Sequence, residues 1–128
     1  LLLSQYGKEL ENSIFYKCKK LAKLIIPRSI TKIGDFAFFG FSSLTEIIIP
    51  SSVTLISSLS FSKCTSLAKI SIPNSVVANG KNSFSGCASL TSISIPTSVT
   101  SISYQATISL FVSKYCYIIQ ITIITVIF

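Results

Sequence analysis

Few side chains in this sequence could do chemistry. Its 128 residues include no histidine, and its four carboxylates, Glu9, Glu11, Asp35 and Glu46, are scattered along the chain. Covalent and general acid–base catalysis both need a nucleophile or a leaving group set beside a matched base. No such pair is laid out here, and no glycine-rich phosphate loop is present. The sequence therefore predicts no catalytic residue and no enzyme. The four cysteines, Cys18, Cys64, Cys87 and Cys116, include no C-x-x-C pair. Without histidine, a zinc site of the usual spacing is excluded, so neither a metal nor a cofactor is expected. With 49% apolar residues and only 12% charged ones, the chain has the composition of a packed core and not of a disordered tail. What remains is binding, and the question becomes which elements would present a binding surface.

The elements follow from a repeat. The four prolines, Pro27, Pro50, Pro73 and Pro96, lie 23 residues apart. Leu21, Leu44, Leu67 and Leu90 keep the same step, as do Leu24, Ile47, Ile70 and Ile93, and Ile26, Ile49, Ile72 and Ile95 just before each proline. After the proline come Ser29, Ser52, Ser75 and Ser98, then Ile30, Val53, Val76 and Val99. Phe38, Phe61 and Phe84 share a later slot, and Cys18, Cys64 and Cys87 share another that holds Phe41 in the remaining copy. A period of this length marks a solenoid, in which no unit can bury its apolar face without its neighbours. The I-x-I-P segment alternates with period two, so it reads as a short strand with one face inward, ended by the proline. Stacked in register at roughly 4.8 Å, such strands form a parallel sheet with columns of like residues.

The unit L-x-x-I-x-I-P-x-S-V-x-x-I-x-x-x-(A/S)-F-x-x-C resembles the BspA-like, or Treponema pallidum type, leucine-rich repeat over about residues 10–103. The resemblance implies a leucine-rich-repeat solenoid, a right-handed curved superhelix with a parallel β-sheet on its concave face and mostly irregular or short-helical convex segments. It also implies a role: repeats of this type occur in surface antigens of bacteria and parasitic protists, where they serve adhesion by binding host extracellular-matrix and plasma proteins. The expected function is accordingly a non-catalytic protein-binding module at the cell surface or outside the cell. Its partner would be a protein, such as a host extracellular-matrix or cell-surface protein, and not a small-molecule substrate. Any membrane association would come through the parent protein. The alternative is a cytoplasmic interaction or structural segment, which the reading of the cysteines as free thiols favours.

The solenoid is expected to span residues 1–112 in about four or five coils, the most regular being 21–43, 44–66, 67–89 and 90–103. The strand positions that point away from the core are Lys23 and Ile25, Glu46 and Ile48, Lys69 and Ser71, and Ser92 and Ser94. Leucine-rich repeats bind their partners on the face these residues would line. Ile25 and Ile48, side by side and flanked by charge, form a candidate contact strip; equally, they fit as β-branched residues chosen for strand propensity. A basic cluster, Lys17, Lys19, Lys20, Lys23, Arg28 and Lys32, together with the net charge of +7, would suit nucleic acid or an anionic membrane. One repeat on from Lys20, however, stand Ser43, Ser66 and Ser89. The basic patch does not propagate, and it reads as solubilising loop charge; no nucleic-acid partner is expected.

Four irregularities stand out. Shifted by 23, Leu1 and Leu3 fall on strand positions, Leu10 on Ile33 and Phe15 on Phe38, while Gly7 falls in the valine slot, which predicts an irregular first coil. Asn79 interrupts the Ile33, Ile56, Ile102 column and precedes Gly80. This predicts a local distortion with Val77 or Ala78 partly filling the gap. Cys64 and Cys87 fall in adjacent coils, at a spacing slightly long for a disulfide, so they are expected as free, buried thiols. Beyond residue 112 the register is lost and 113–128 is apolar. That segment fits a short membrane stretch, a divergent edge strand or out-of-frame sequence, and the chain as a whole reads as a fragment of something longer.

Overall fold

The computed structural model describes residues 7–10, 15, 18, 20–91 and 93–102. The expectations for Leu1–Leu3, Ser92 and residues 103–128 lie outside them. The coils of residues 21–43, 44–66 and 67–89 each carry two short strands. The first follows the opening leucine: β2 (Lys23–Ile25), β4 (Glu46–Ile48) and β6 (Lys69–Ser71) pair in parallel as a three-stranded sheet. A bridge from Ser71 to Ser94 extends it by one coil. The second strand was not foreseen from sequence. It lies seven residues beyond the first, as β1 (Glu9–Leu10), β3 (Lys32–Ile33), β5 (Leu55–Ile56), β7 (Ala78–Asn79) and β8 (Ser101–Ile102), and these five form a second parallel sheet. Every pairing connects residues 23 apart, for instance Leu24 with Ile47 and Ile33 with Ile56. Among the described residues there is no helix.

The repeat slots are now explained by contacts. Each proline carbonyl accepts a hydrogen bond from the amide three residues on (Ile30, Val53, Val76 and Val99, all at 3.1 Å), closing an identical β-turn between the two strands. The serine inside that turn reaches down one coil. The Oγ atoms of Ser52, Ser75 and Ser98 donate to the carbonyls of Ile30, Val53 and Val76 at 2.7, 2.6 and 2.9 Å. Thr31, Thr45 and Thr54 donate in the same sense to Lys8, Ala22 and Thr31. Small hydroxyl residues thus lash successive coils together, the serines bonding carbonyls beside the turn and the threonines adding a side-chain bond to carbonyls that already accept the same residue's backbone amide.

The interior is a set of columns. Phe15, Phe38, Phe61 and Phe84 stack with ring centroids 4.8, 4.9 and 5.4 Å apart and planes within 10° of parallel. All four rings are buried, along with the columns Ile26, Ile49, Ile72, Ile95 and Ile30, Val53, Val76, Val99, while in the leucine column Leu44 and Leu67 are buried and Leu21 and Leu90 partly so. Centroid separations close to the rise of a parallel sheet place each ring against the next, and each ring excludes water from its neighbours. Phe15 and Leu10 occupy the slots that the shifted register assigned to them.

Asn79 does not distort its coil. Strand β7 pairs in register with both β5 and β8, Asn79 sits buried in the isoleucine column, and Val77, far from filling a gap, is 51% exposed. The amide is tolerated because Ser83 Oγ donates to Asn79 Oδ1 at 2.8 Å. Gly80 serves close approach and not a turn: a Cβ there would collide with the backbone of Ser57 and Ser58 in the preceding coil.

Candidate functional site

The outward side of the three-stranded sheet is built from two columns. Strands with a buried central residue, Leu24, Ile47 or Ile70, must turn their flanking residues outward. One column is therefore Lys23, Glu46 and Lys69, and the other is Ile25, Ile48, Ser71 and Ser94, each member directly across from the next. Seven of the eight expected residues are thus brought together on one face, and the eighth, Ser92, is not among the described residues.

Its electrostatics are simple. Lys23 Nζ lies 3.0 Å from Glu46 Oε2, a half-exposed ion pair worth only a few tenths to about 1 kcal/mol. Lys69, across from Glu46 on the other side, makes no ion pair among the described residues, so the column carries an unmatched positive charge. Beside it Ile25 and Ile48 are 63% and 43% exposed, among the most exposed large apolar side chains described. The face therefore offers adjacent apolar area and a cation, with its geometry held by a buried row behind it. Of the sequence-predicted basic cluster, Lys32 belongs to the second sheet, where Nζ meets Glu9 Oε1 at 2.8 Å; that hydrogen bond raises its pKa.

The thiols are chemically quiet. Cys64 and Cys87 are free and buried, and each Sγ contacts the carbonyl of the phenylalanine in the coil before, Phe38 or Phe61, at 3.1 Å. Burial pushes both thiols up to about 12, so neither is a thiolate at neutral pH. No group of three or more histidine, cysteine, aspartate or glutamate side chains is gathered as for a metal among the described residues. One surface feature escaped sequence reasoning, an aromatic pair in the turn segment. Phe36 meets Phe39 edge-on at 5.6 Å, and Lys63 Nζ from the next coil stands 5.4 Å from the Phe39 ring. Phe36 and Phe39 meet locally across one turn, where the Phe39 amide donates to the Phe36 carbonyl, and the stacking of the next coil adds Lys63.

Coils of 23 residues with parallel strands in register, a buried leucine–isoleucine interior and an outward strand face define a leucine-rich-repeat solenoid. Comparison with known proteins agrees. Residues 8–126 match the profile of the BspA type leucine rich repeat region, in six copies, and the chain belongs to that family. A leucine-rich repeat protein of T. pallidum is similar in structure at 37% identity and a TM-score of 0.71, over 74% of this chain and 44% of that one. A leucine-rich repeat protein of Bacteroides ovatus is similar at 36% identity and a TM-score of 0.68, over 74% of this chain and 24% of that one. A leucine rich cell surface protein of Faecalibacterium prausnitzii shares the fold at 23% identity and a TM-score of 0.51, over 77% of this chain and 39% of its own. The chain spans less than half the length of each of these solved relatives. No match was found among curated proteins. Leucine-rich repeats are generally protein-interaction modules and typically non-catalytic.

Proposed function

We propose that this chain is a non-catalytic protein-binding module of a cell-surface or extracellular protein, and that it binds through the outward face of β2, β4 and β6. The observation that carries the reading is the pair of exposed isoleucines, Ile25 and Ile48, held side by side on strands whose inward residues are fixed by the core. A soluble chain with no partner would more simply place polar side chains at both positions, as it does one and two coils later with Ser71 and Ser94. The unmatched Lys69 beside them sets the partner's chemistry: a protein segment carrying apolar side chains next to a carboxylate. Host extracellular-matrix and cell-surface proteins are the partner class that the family's surface-antigen members suggest. The reading requires no cofactor, nucleic acid or small-molecule substrate, and any contact with a membrane comes through the parent protein. The free thiols of Cys18, Cys64 and Cys87 favour a second reading, an intracellular interaction or structural segment.

Labelling of the producing cells with an antibody raised against residues 44–103 separates the two. Signal on intact cells is the expected result, and it is followed by binding of the full chain to a panel of immobilised matrix and plasma proteins. Signal only after permeabilisation sinks the surface reading and leaves the intracellular module.

A further inference from the structure

Asn79–Gly80 is the pair of residues most prone to spontaneous deamidation, because glycine leaves its own amide nitrogen unhindered. In this fold that chemistry is blocked at three points. Asn79 is 4% exposed, so water is excluded. Its Oδ1 accepts from Ser83 Oγ at 2.8 Å, which fixes the side chain towards the coil interior. The would-be nucleophile, the Gly80 amide nitrogen, spends its proton on the Ile56 carbonyl at 2.8 Å in the coil before. The Nδ2 atom, by contrast, is buried without a hydrogen-bond partner, so the coil gains nothing from this side chain's amino group.

We propose that Asn79 is a latent modification site, closed in the folded solenoid and opened when the coil of residues 67–89 separates from the coil of residues 44–66, so that deamidation records that opening irreversibly. On opening, the Gly80 nitrogen loses its proton and attacks Asn79 Cγ. The N–Cγ bond forms, the Cγ–Nδ2 bond breaks, and ammonia leaves with a proton from solvent. Water then opens the cyclic imide at either carbonyl, giving aspartate or isoaspartate, with no oxidation or reduction. Neither product fits back. Aspartate would place a carboxylate in a column that runs back through the buried side chains of Ile56, Ile33 and Leu10, where desolvation opposes its charge. Isoaspartate would add a methylene to the backbone beside Gly80, where even a Cβ collides with Ser57 and Ser58. Coil opening is a local event, less costly than global unfolding in a stack whose units touch only their neighbours.

The test is peptide mass spectrometry of the full chain incubated in native buffer and in urea at one pH and temperature. Trypsin releases residues 70–81, which contain both Asn79 and the exposed Asn74, followed by Ser75, as an internal reference. Deamidation at Asn79 is expected to be at least about tenfold faster in urea, while Asn74 changes little. A cavity variant of the same coil, Phe84→Ala, is expected to raise the native-buffer rate at Asn79 towards the urea rate, whether it remains folded or not. Chains deamidated in urea should refold with a lowered unfolding midpoint, and Asn79→Ile chains given the same treatment should recover theirs. Equal rates at Asn79 in both conditions, no reaction in urea, or full recovery of the midpoint by deamidated chains would each overturn the proposal.

Discussion

At the scale of single residues, the turn segment after each second strand depends on backbone conformations that most side chains avoid. Phe36, Leu59 and Asn82 share one slot, with φ of 57°, 57° and 55°, and Gly40, Lys63 and Gly86 share another, with φ of 69°, 60° and 74°. These left-handed residues turn the amides of Phe36, Phe38 and Gly40 towards the carbonyls of Ser58, Ser60 and Ser62 in the next coil. By contrast, residues just before the strands, such as Ala68 and Val77, donate to the coil before, to Thr45 and Thr54. At Gly40 a Cβ would touch nothing within 4 Å, so Gly40→Ala isolates the conformational penalty. It should lower unfolding free energy by about 1–2 kcal/mol in urea titration. The sequence shows glycine twice in that slot but also lysine, and only the φ angles reveal one conformation throughout. A second residue-level prediction concerns pH. Because folding raises both Cys64 and Cys87 from 9.0 to about 12, the unfolded chain ionises first as pH rises. Stability contributed by the neutral thiols is complete below pH 9 and is lost as pH rises from about 9 towards about 12. The Cys64→Ala, Cys87→Ala double variant should show a flatter decline over that window. The same decline in both proteins would contradict the assignment.

At the scale of elements, stability belongs to columns and not to individual strands of two or three residues. Phe61, stacked between Phe38 and Phe84, should cost about 3–5 kcal/mol when changed to alanine, measured by thermal or urea unfolding. Asn79→Ile with Ser83→Ala restores the isoleucine and alanine of the coil around Ile33 and Ala37. It removes the unpartnered Nδ2 atom and should stabilise by about 1–3 kcal/mol. The first sheet was legible because Lys23 to Pro27 and its copies alternate apolar and outward residues before a proline stop. The second sheet was not, since a strand as short as Lys32–Ile33 leaves no alternation to read. Asn79–Gly80 misled for a related reason: the local turn signal is outweighed by pairing with β5 and β8 and by one hydroxyl four residues on. The serine of each proline turn was visible as a recurring letter, but its partner lies 22 residues back and follows only from how the coils stack.

At the scale of the whole molecule, the fold was readable because every slot packs on its own copy, so chemistry repeated along the sequence becomes continuity in space. The candidate site was readable to the same extent. Alternation placed Ile25, Ile48, Lys69 and Ser71 on the outward face, whereas the ion pair between Lys23 and Glu46 needed the register of two coils. The aromatic pair at Phe36 and Phe39 joins slots that alternation does not describe. The outward face of β2, β4 and β6 is the proposed docking face for a protein partner. The most direct measurement compares binding of the full chain and of its Ile25→Asp, Ile48→Asp double variant to the matrix proteins that retain the parent. A Leu55→Asp variant, altered on the second sheet, serves as the control, with the fold of each checked by circular dichroism. If partners dock there, the double variant stays folded and loses at least about 1.4 kcal/mol, a tenfold drop in affinity, while the control binds as the parent does. Unchanged binding by a folded double variant, or an equal loss in the control, would contradict it.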